Sequence, residues 1–209
     1  FPNQGLFSTS SAVNLIYPQD TSSPTLDYWV FSIYPRYIHS LPNPKDVSLS
    51  PRFRSLMFKG NTTNSLLMSY DPTKGNCWWV LNADDQYNPY ISDTFKEFLP
   101  ISNLSRIGSD AQQAGFPPEV LFGKQPEKNW CYYFEKADLA KQLNDWQQIK
   151  SLGDIADTQG FSPSSSSSNS PREWLPFIEG YAQLGDWHTA HDLTLQSYDM
   201  DKKYQEMLC

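Results

Sequence analysis

Two carboxylates, Asp84 and Asp85, follow directly on the apolar run "CWWVLN" (77–82). Carboxylates at a strand end commonly serve metal-assisted or general acid–base chemistry. A small hydrolase or metal enzyme built on them would recruit a histidine, and His39 is the candidate in the first half of the chain. The plainer reading is a solvated turn. "NADDQYNP" has turn composition throughout, and no histidine or further acidic cluster lies close by in sequence. His188 and His191 stand three apart, flanked by Asp186 and Asp192. A His-x-x-His pair can hold a metal, yet zinc wants a third or fourth ligand. Glu135, Lys136 and Asp138 read as surface pairs of a helix. There is no Gly-rich phosphate loop and no Gly-x-Ser-x-Gly elbow. No catalytic residue, metal or cofactor is therefore expected of this chain.

Trp78 and Trp79 are adjacent in a strand, so they point to opposite faces. One of the two is then covered by a second layer or exposed as a contact residue. That suggests a carbohydrate- or protein-binding surface, with Asp84 and Asp85 beside it.

The elements around these residues follow from composition and period. The chain has 209 residues, 15% of them aromatic, which is not the composition of a disordered protein. A net charge of −7 argues against a nucleic-acid partner. No stretch resembles a membrane span. The chain begins at Phe1 in sequence that already looks structured, so it reads as a segment of something longer. Cys77, Cys131 and Cys209 show no metal spacing; buried thiols are the plain reading, and a Cys77–Cys131 disulfide fits an oxidising compartment. Asn61-Thr62-Thr63 and Asn103-Leu104-Ser105 are sequons, meaningful in a glycosylating host.

Short β-branched or aromatic runs at 28–34, 55–60, 65–70 and 77–82 predict strands, the last three as a meander. A helix is expected at 91–99, ending at Pro100. Residues 109–128 form a Gly- and Pro-rich linker between a β-rich domain (1–108) and a helical one (129–209). In the helical part the apolar period is 3.6: Trp130, Tyr133, Phe134, Ala137, Ala140 and Leu143, then Trp146, Ile149, Leu152, Gly153 and Ala156. After an exposed Ser-rich loop (162–171) come Trp174, Phe177, Ile178, Tyr181 and Leu184, then Trp187, Ala190, Thr194 and Tyr198.

"QLNDW" (142–146) and "QLGDW" (183–187) recur 41 residues apart, each between two amphipathic stretches. Asn144 or Gly185 suits the left-handed position closing one helix. Asp145 or Asp186 caps the next. Trp146 or Trp187 then folds into the groove between the two helices. Two copies make two helical hairpins. They resemble tetratricopeptide repeats at Ala137, Ala140, Tyr181, Gly185 and Trp187, with about seven residues inserted by the Ser-rich loop and without the closing Pro. The tail after Tyr198, or the β-rich half, caps the stack. The expected fold is α+β: a small, mainly antiparallel β-sheet half followed by tetratricopeptide-like α-helical hairpins.

"FGKQPEKNWCYYFEKADLAKQLNDWQQIKSLGD" (122–154) with "PFIEGYAQLGDW" (176–187) resembles the C-terminal soluble region of multi-spanning bacterial membrane proteins. These are of the cyanobacterial or Chloroflexi type and are similar to polytopic glycosyltransferases. The resemblance implies an accessory domain on the extracytoplasmic face of the membrane. Its partners would be the membrane-embedded part of the same polypeptide and a protein, peptide or glycan ligand. The catalytic acid of such enzymes belongs to a region outside this chain. A purely structural assembly module is the remaining alternative.

Overall fold

The computed structural model describes residues 6–17, 24–31, 45–70, 77–108, 115, 117–163 and 169–208. The fold is α+β, about 56% helical and 10% strand, with eight α-helices among the described residues. Two compact units partition the chain. Residues Phe1–Leu67 with Asp93–Pro126 make the first, and Met68–Ser92 with Glu127–Cys209 the second. This differs from a division at residue 108, because the segment 68–92 packs with the C-terminal helices.

In the first unit, α1 (Leu6–Ile16) is a helix that the strand-rich reading of this half does not anticipate. It also explains why the start of the apolar run 28–34 forms no strand. Asn14 Oδ1 accepts the amides of Asp27 (3.0 Å) and Tyr28 (3.1 Å), and Asn14 Nδ2 donates to the Tyr28 carbonyl (2.8 Å). The hydroxyl of buried Ser10 accepts the Val30 amide at 2.9 Å. Helix side chains thus take the backbone groups that a neighbouring strand would have used. Residues 32–34 and His39 lie outside the described residues.

The strands here are short: β1 (Thr25–Leu26), β2 (Ser48–Leu49), β3 (Arg52–Phe53), β4 (Leu56–Phe58) and β5 (Gly60–Asn61). The order is β1-β4-β3, with β1 parallel to β4, and β2 pairs separately with β5. The expected pairing of 55–60 with 65–70 does not form. Asn61 caps a 3-10 turn at Thr62–Asn64, accepting the Thr63 amide at 2.9 Å, and this turns the chain away. Thr62 then exchanges bonds with Val47, its amide donating to the Val47 carbonyl and its Oγ1 accepting the Val47 amide. The helix expected at 91–99 is a single turn, α2 (Asp93–Lys96), with a 3-10 turn at Leu99–Ile101 containing Pro100. A second one-turn helix, α3 (Glu119–Phe122), lies within the expected linker.

The second unit begins with the last hairpin of the expected meander, β6 (Met68–Ser69) against β7 (Trp79–Val80). Its long helices are α4 (Trp130–Gln142), α5 (Trp146–Thr158), α6 (Pro171–Gln183) and α7 (Trp187–Met200). α4 packs on α5, α5 on α6, α6 on α7, and α4 also on α6, the order of stacked hairpins. The core is aromatic: Trp130 stacks on Trp174 with centroids 4.2 Å apart, and Phe177 and Phe161 close around them.

Both joints have the expected geometry. Asn144 (φ 55°) and Gly185 (φ 79°) are left-handed. Asp145 donates its amide to the Ala140 carbonyl, and Asp186 donates to the Tyr181 carbonyl. Each aspartate also caps the following helix, accepting the amide of Gln148 (3.0 Å) or Thr189 (3.2 Å). One residue therefore satisfies the orphan groups of two helix ends. Leu143, expected on the buried face, is exposed because it falls at the C-cap of α4. In the Ser-rich stretch residues 164–168 lie outside the description, but its end is not exposed: Ser170 and Pro171 are buried at the start of α6. The tail forms a 3-10 turn (Lys202–Tyr204) and α8 (Gln205–Leu208), with Tyr204 fully buried and Gln205 tied to the Tyr198 carbonyl at the end of α7.

α5 and α6 meet at two glycines. A Cβ on Gly180 would lie 2.4 Å from Ile149 Cγ2, and one on Gly153 would lie 2.7 Å from the Tyr181 hydroxyl. Gly180→Ala should lower stability by about 1–2 kcal/mol, overpacking outweighing the gain in helix propensity. Gly108→Ala, with nothing within 4 Å, should leave it unchanged. Urea titration of the two variants checks this.

Candidate functional site

The charged residues that the structure brings together are Asp85 and Arg172, with Glu173 and Asp138 beside them. Helix α6 carries Arg172 and Glu173, α4 carries Asp138, and β7 leads the chain to Asp85. Trp79 turns inward and is buried, while Trp78 turns outward and is 38% exposed. The expected alternation therefore holds. After β7 the chain enters a 3-10 turn at Ala83–Tyr87, closed by a capping box in which Asp85 Oδ2 accepts the Asn82 amide at 3.0 Å.

Asp84 and Asp85 do not converge. Asp84 is exposed, its amide donating to Asn82 Oδ1 at 2.7 Å. Asp85 is buried and is held from two sides by Arg172, Nε donating to Oδ1 at 2.8 Å and Nη2 to Oδ2 at 3.2 Å. Arg172 Nη2 also reaches the Val80 carbonyl (3.2 Å), and the guanidinium lies 5.1 Å from the Trp79 ring. Burial pulls the guanidinium pKa down, but the Asp85 hydrogen bonds and charge outweigh it and hold the value above the ordinary one. The guanidinium stays charged.

Glu173, the next residue, is fully buried and faces three donors. Trp79 Nε1 donates to Oε1 at 3.0 Å, while Trp130 Nε1 (2.6 Å) and the Ser170 amide (3.2 Å) donate to Oε2. Burial pushes its carboxyl above the ordinary glutamate range, against the pull of the two indoles and the amide. Asp138, expected on a solvated face, is half-buried; burial raises its carboxyl too, partly offset by Arg172.

The far end of the segment is tied down as well. Asn88 is buried, and its Oδ1 accepts the Tyr204 hydroxyl at 3.1 Å. Tyr90 bonds Asp201 through its hydroxyl and packs at a tilt against the Tyr204 ring. Cys77 and Cys131 form a disulfide that ties the hairpin to α4. Cys209 lies outside the described residues.

Of the remaining candidates, Asp145 and Asp186 serve as caps. Trp146 is half-buried, but Trp187, expected in a groove, is 69% exposed. The reason is position. α6 follows α5 and packs on it, whereas α7 is followed by the short tail, which meets it at the opposite end. His188 and His191 are exposed and both face Asp192, at 3.3 and 3.6 Å. Among the described residues no group of three or more His, Cys, Asp or Glu is placed to hold a metal ion.

Sequence reasoning missed Arg172 and Glu173. The signal was present in "SPRE" (170–173), a Ser-x-x-Glu capping box with Pro at the first helical position. Compared with known proteins, the chain matches no family model, no curated relative and no solved structure.

Raised carboxyl pKa values make a testable demand. Glu173 and Asp138 bind protons more tightly in the fold than in the unfolded chain, so they favour the fold below their ordinary values of 4.5 and 3.8, and that contribution is lost as pH rises through their raised ones. Asp154, held low by Lys150 and Tyr181 despite its burial, acts oppositely, below its ordinary 3.8. The melting temperature should therefore rise as pH falls from neutral toward the ordinary glutamate value of 4.5. Glu173→Gln places an amide donor against an indole donor and should cost about 1–3 kcal/mol, with a shallower pH slope. Melting curves across that range check both.

Proposed function

We propose that the chain is a non-catalytic binding or positioning domain of a polytopic membrane protein, working on the extracytoplasmic face of the membrane. The observation that carries the non-catalytic part is the use of the buried charges. Asp85 is committed to Arg172 and Glu173 to two tryptophans, and both ties hold one stretch of chain to the helices. A catalytic acid or base needs a proton it can exchange with substrate. Among the described residues no charged group converges on the exposed Asp84.

The Cys77–Cys131 disulfide favours an oxidising compartment. Among the described residues no helix is long and apolar enough to cross a membrane. Attachment to a polytopic parent, such as a glycosyltransferase, rests on the likeness of residues 122–154 and 176–187 to such C-terminal regions.

Stacked hairpins commonly offer peptides the face lined by their first helices. Here the segment 79–88 meets Arg172 and Glu173 of α6 and Trp130 of α4. A protein, peptide or glycan ligand is therefore better served by Trp78, exposed beside Tyr70 with centroids 5.0 Å apart, and by Trp187. The assembly-module reading is favoured by one feature, the exposure of both Trp187 and Leu195 on α7.

The test is retention on peptide and glycan arrays by the full chain. One ligand class should be retained, and Trp78→Ala or Trp187→Ala should weaken it about tenfold without changing the melting temperature. Turnover of a retained ligand, or no retention on either array, would overturn the proposal.

A further inference from the structure

We infer that the ligand of the second unit is a basic peptide, and that Trp78, Tyr70 and Glu135 hold an arginine side chain of it. The inference rests on the reading that the chain is a binding domain, and it names the ligand class of one proposed contact.

The strand register brings these three side chains to one place. β6 and β7 pair Met68 with Val80 and Ser69 with Trp79. Trp79 points inward, and side chains alternate along a strand, so Trp78 and Tyr70 share the outer face. Their rings meet there with centroids 5.0 Å apart, and Met68 is exposed on the same face. The backbone of β7 places the third member. The Trp78 amide points away from β6 and donates to Glu135 Oε1 at 3.4 Å, as the Val80 carbonyl points away to accept Arg172. Glu135 of α4 therefore stands at the outer edge of β7, against the residue that carries the exposed indole. The Cys77–Cys131 disulfide holds this edge to α4, with Cys131 one helical turn before Glu135.

These groups retain bonding capacity that their buried counterparts do not. The indole N–H groups of Trp79, Trp130 and Trp174 each find an acceptor. Among the described residues, Trp78 Nε1, the Tyr70 hydroxyl and Glu135 Oε2 make no hydrogen bond within the chain.

Charge selects the occupant. The charges that act on Glu135 are two acids, Glu173 and Asp138, and one base, Lys136. Arg172 is committed to Asp85, and Lys128 lies over the Tyr132 ring at 5.0 Å. The unit as a whole carries eight Lys or Arg against sixteen Asp or Glu. An aromatic face beside an acid-rich edge is complementary to a cation. Arginine fits better than lysine, because its planar guanidinium can lie on a ring and offer two N–H groups to one carboxylate. A neutral sugar could stack on the indole, but it would leave the surplus negative charge in place.

The test is fluorescence anisotropy of the full chain with a labelled Gly-Ser peptide carrying spaced arginines, against the same peptide carrying glutamines. The arginine peptide should bind about tenfold tighter and lose affinity with added salt. Glu135→Gln keeps an oxygen for the Trp78 amide and removes only the charge, so it should weaken binding about tenfold with an unchanged circular dichroism spectrum. Trp78→Ala should weaken it similarly. Asp157→Asn, which removes an exposed charge on α5, should bind as the original protein does. Equal affinity for the two peptides overturns the inference. So does normal binding by Glu135→Gln, or an equal loss in Asp157→Asn, which would mean attraction by overall charge alone. Array retention of a glycan or uncharged peptide, with no preference for arginine, overturns this inference and leaves the binding-domain reading standing. Retention of nothing removes both.

Discussion

Two adjacent residues at the start of α6 organise the second unit. Arg172 takes Asp85 and the Val80 carbonyl; Glu173 takes Trp79, Trp130 and the amide of Ser170. Side chains at successive helical positions point about 100° apart, so one turn of helix can grip a hairpin at two places. A charge buried alone is costly, and each of these has its opposite charge or its donors within hydrogen-bond distance. That satisfaction holds only with the segment 79–88 seated in one register. The ionic pair thus fixes where the segment lies, and its net contribution to stability is small beside the geometry it imposes.

Around this lock the remaining ties have similar logic. The disulfide holds the hairpin at its start, and Tyr204 and Asp201 hold its continuation from the tail. Asp145 and Asp186 let each hairpin turn within two residues, because one side chain and one amide satisfy both helix ends. The two glycines at the α5–α6 contact allow the backbones to approach closely enough for Ile149 and Tyr181 to fill the space. The outcome is a helical stack in which Arg172, Asp85 and Glu173 hold one segment to the helices, with tryptophan exposed at Trp78 and Trp187.

The legibility of this arrangement varied with the range of the interactions. The four long helices, their joints and the alternation of Trp78 and Trp79 were readable, because the 3.6 and 2.0 periods and the caps are local signals. The N-terminal half was not. Its strands are two or three residues long, β1 finds its partner far along the chain (Thr25 opposite Met57), and Asn14 and Ser10 remove residues 27–30 from any sheet. Asp85 looked like half of a carboxylate pair, since nothing nearby in sequence shows that Arg172, 87 residues on, will claim it. Trp187 looked buried because the doubled motif does not say that the stack ends with α7.

The most direct measurement is a double-mutant cycle on the lock, Asp85→Leu, Arg172→Met and the two together, by urea denaturation. Either single change leaves a buried charge unpaired and should cost about 3–5 kcal/mol, while the double variant should return to within roughly 1–2 kcal/mol of the original protein. That result would mark the pair as a positional tie within the fold. Single variants as stable as the original protein would contradict the account, since the charges would then be solvated and available for other work.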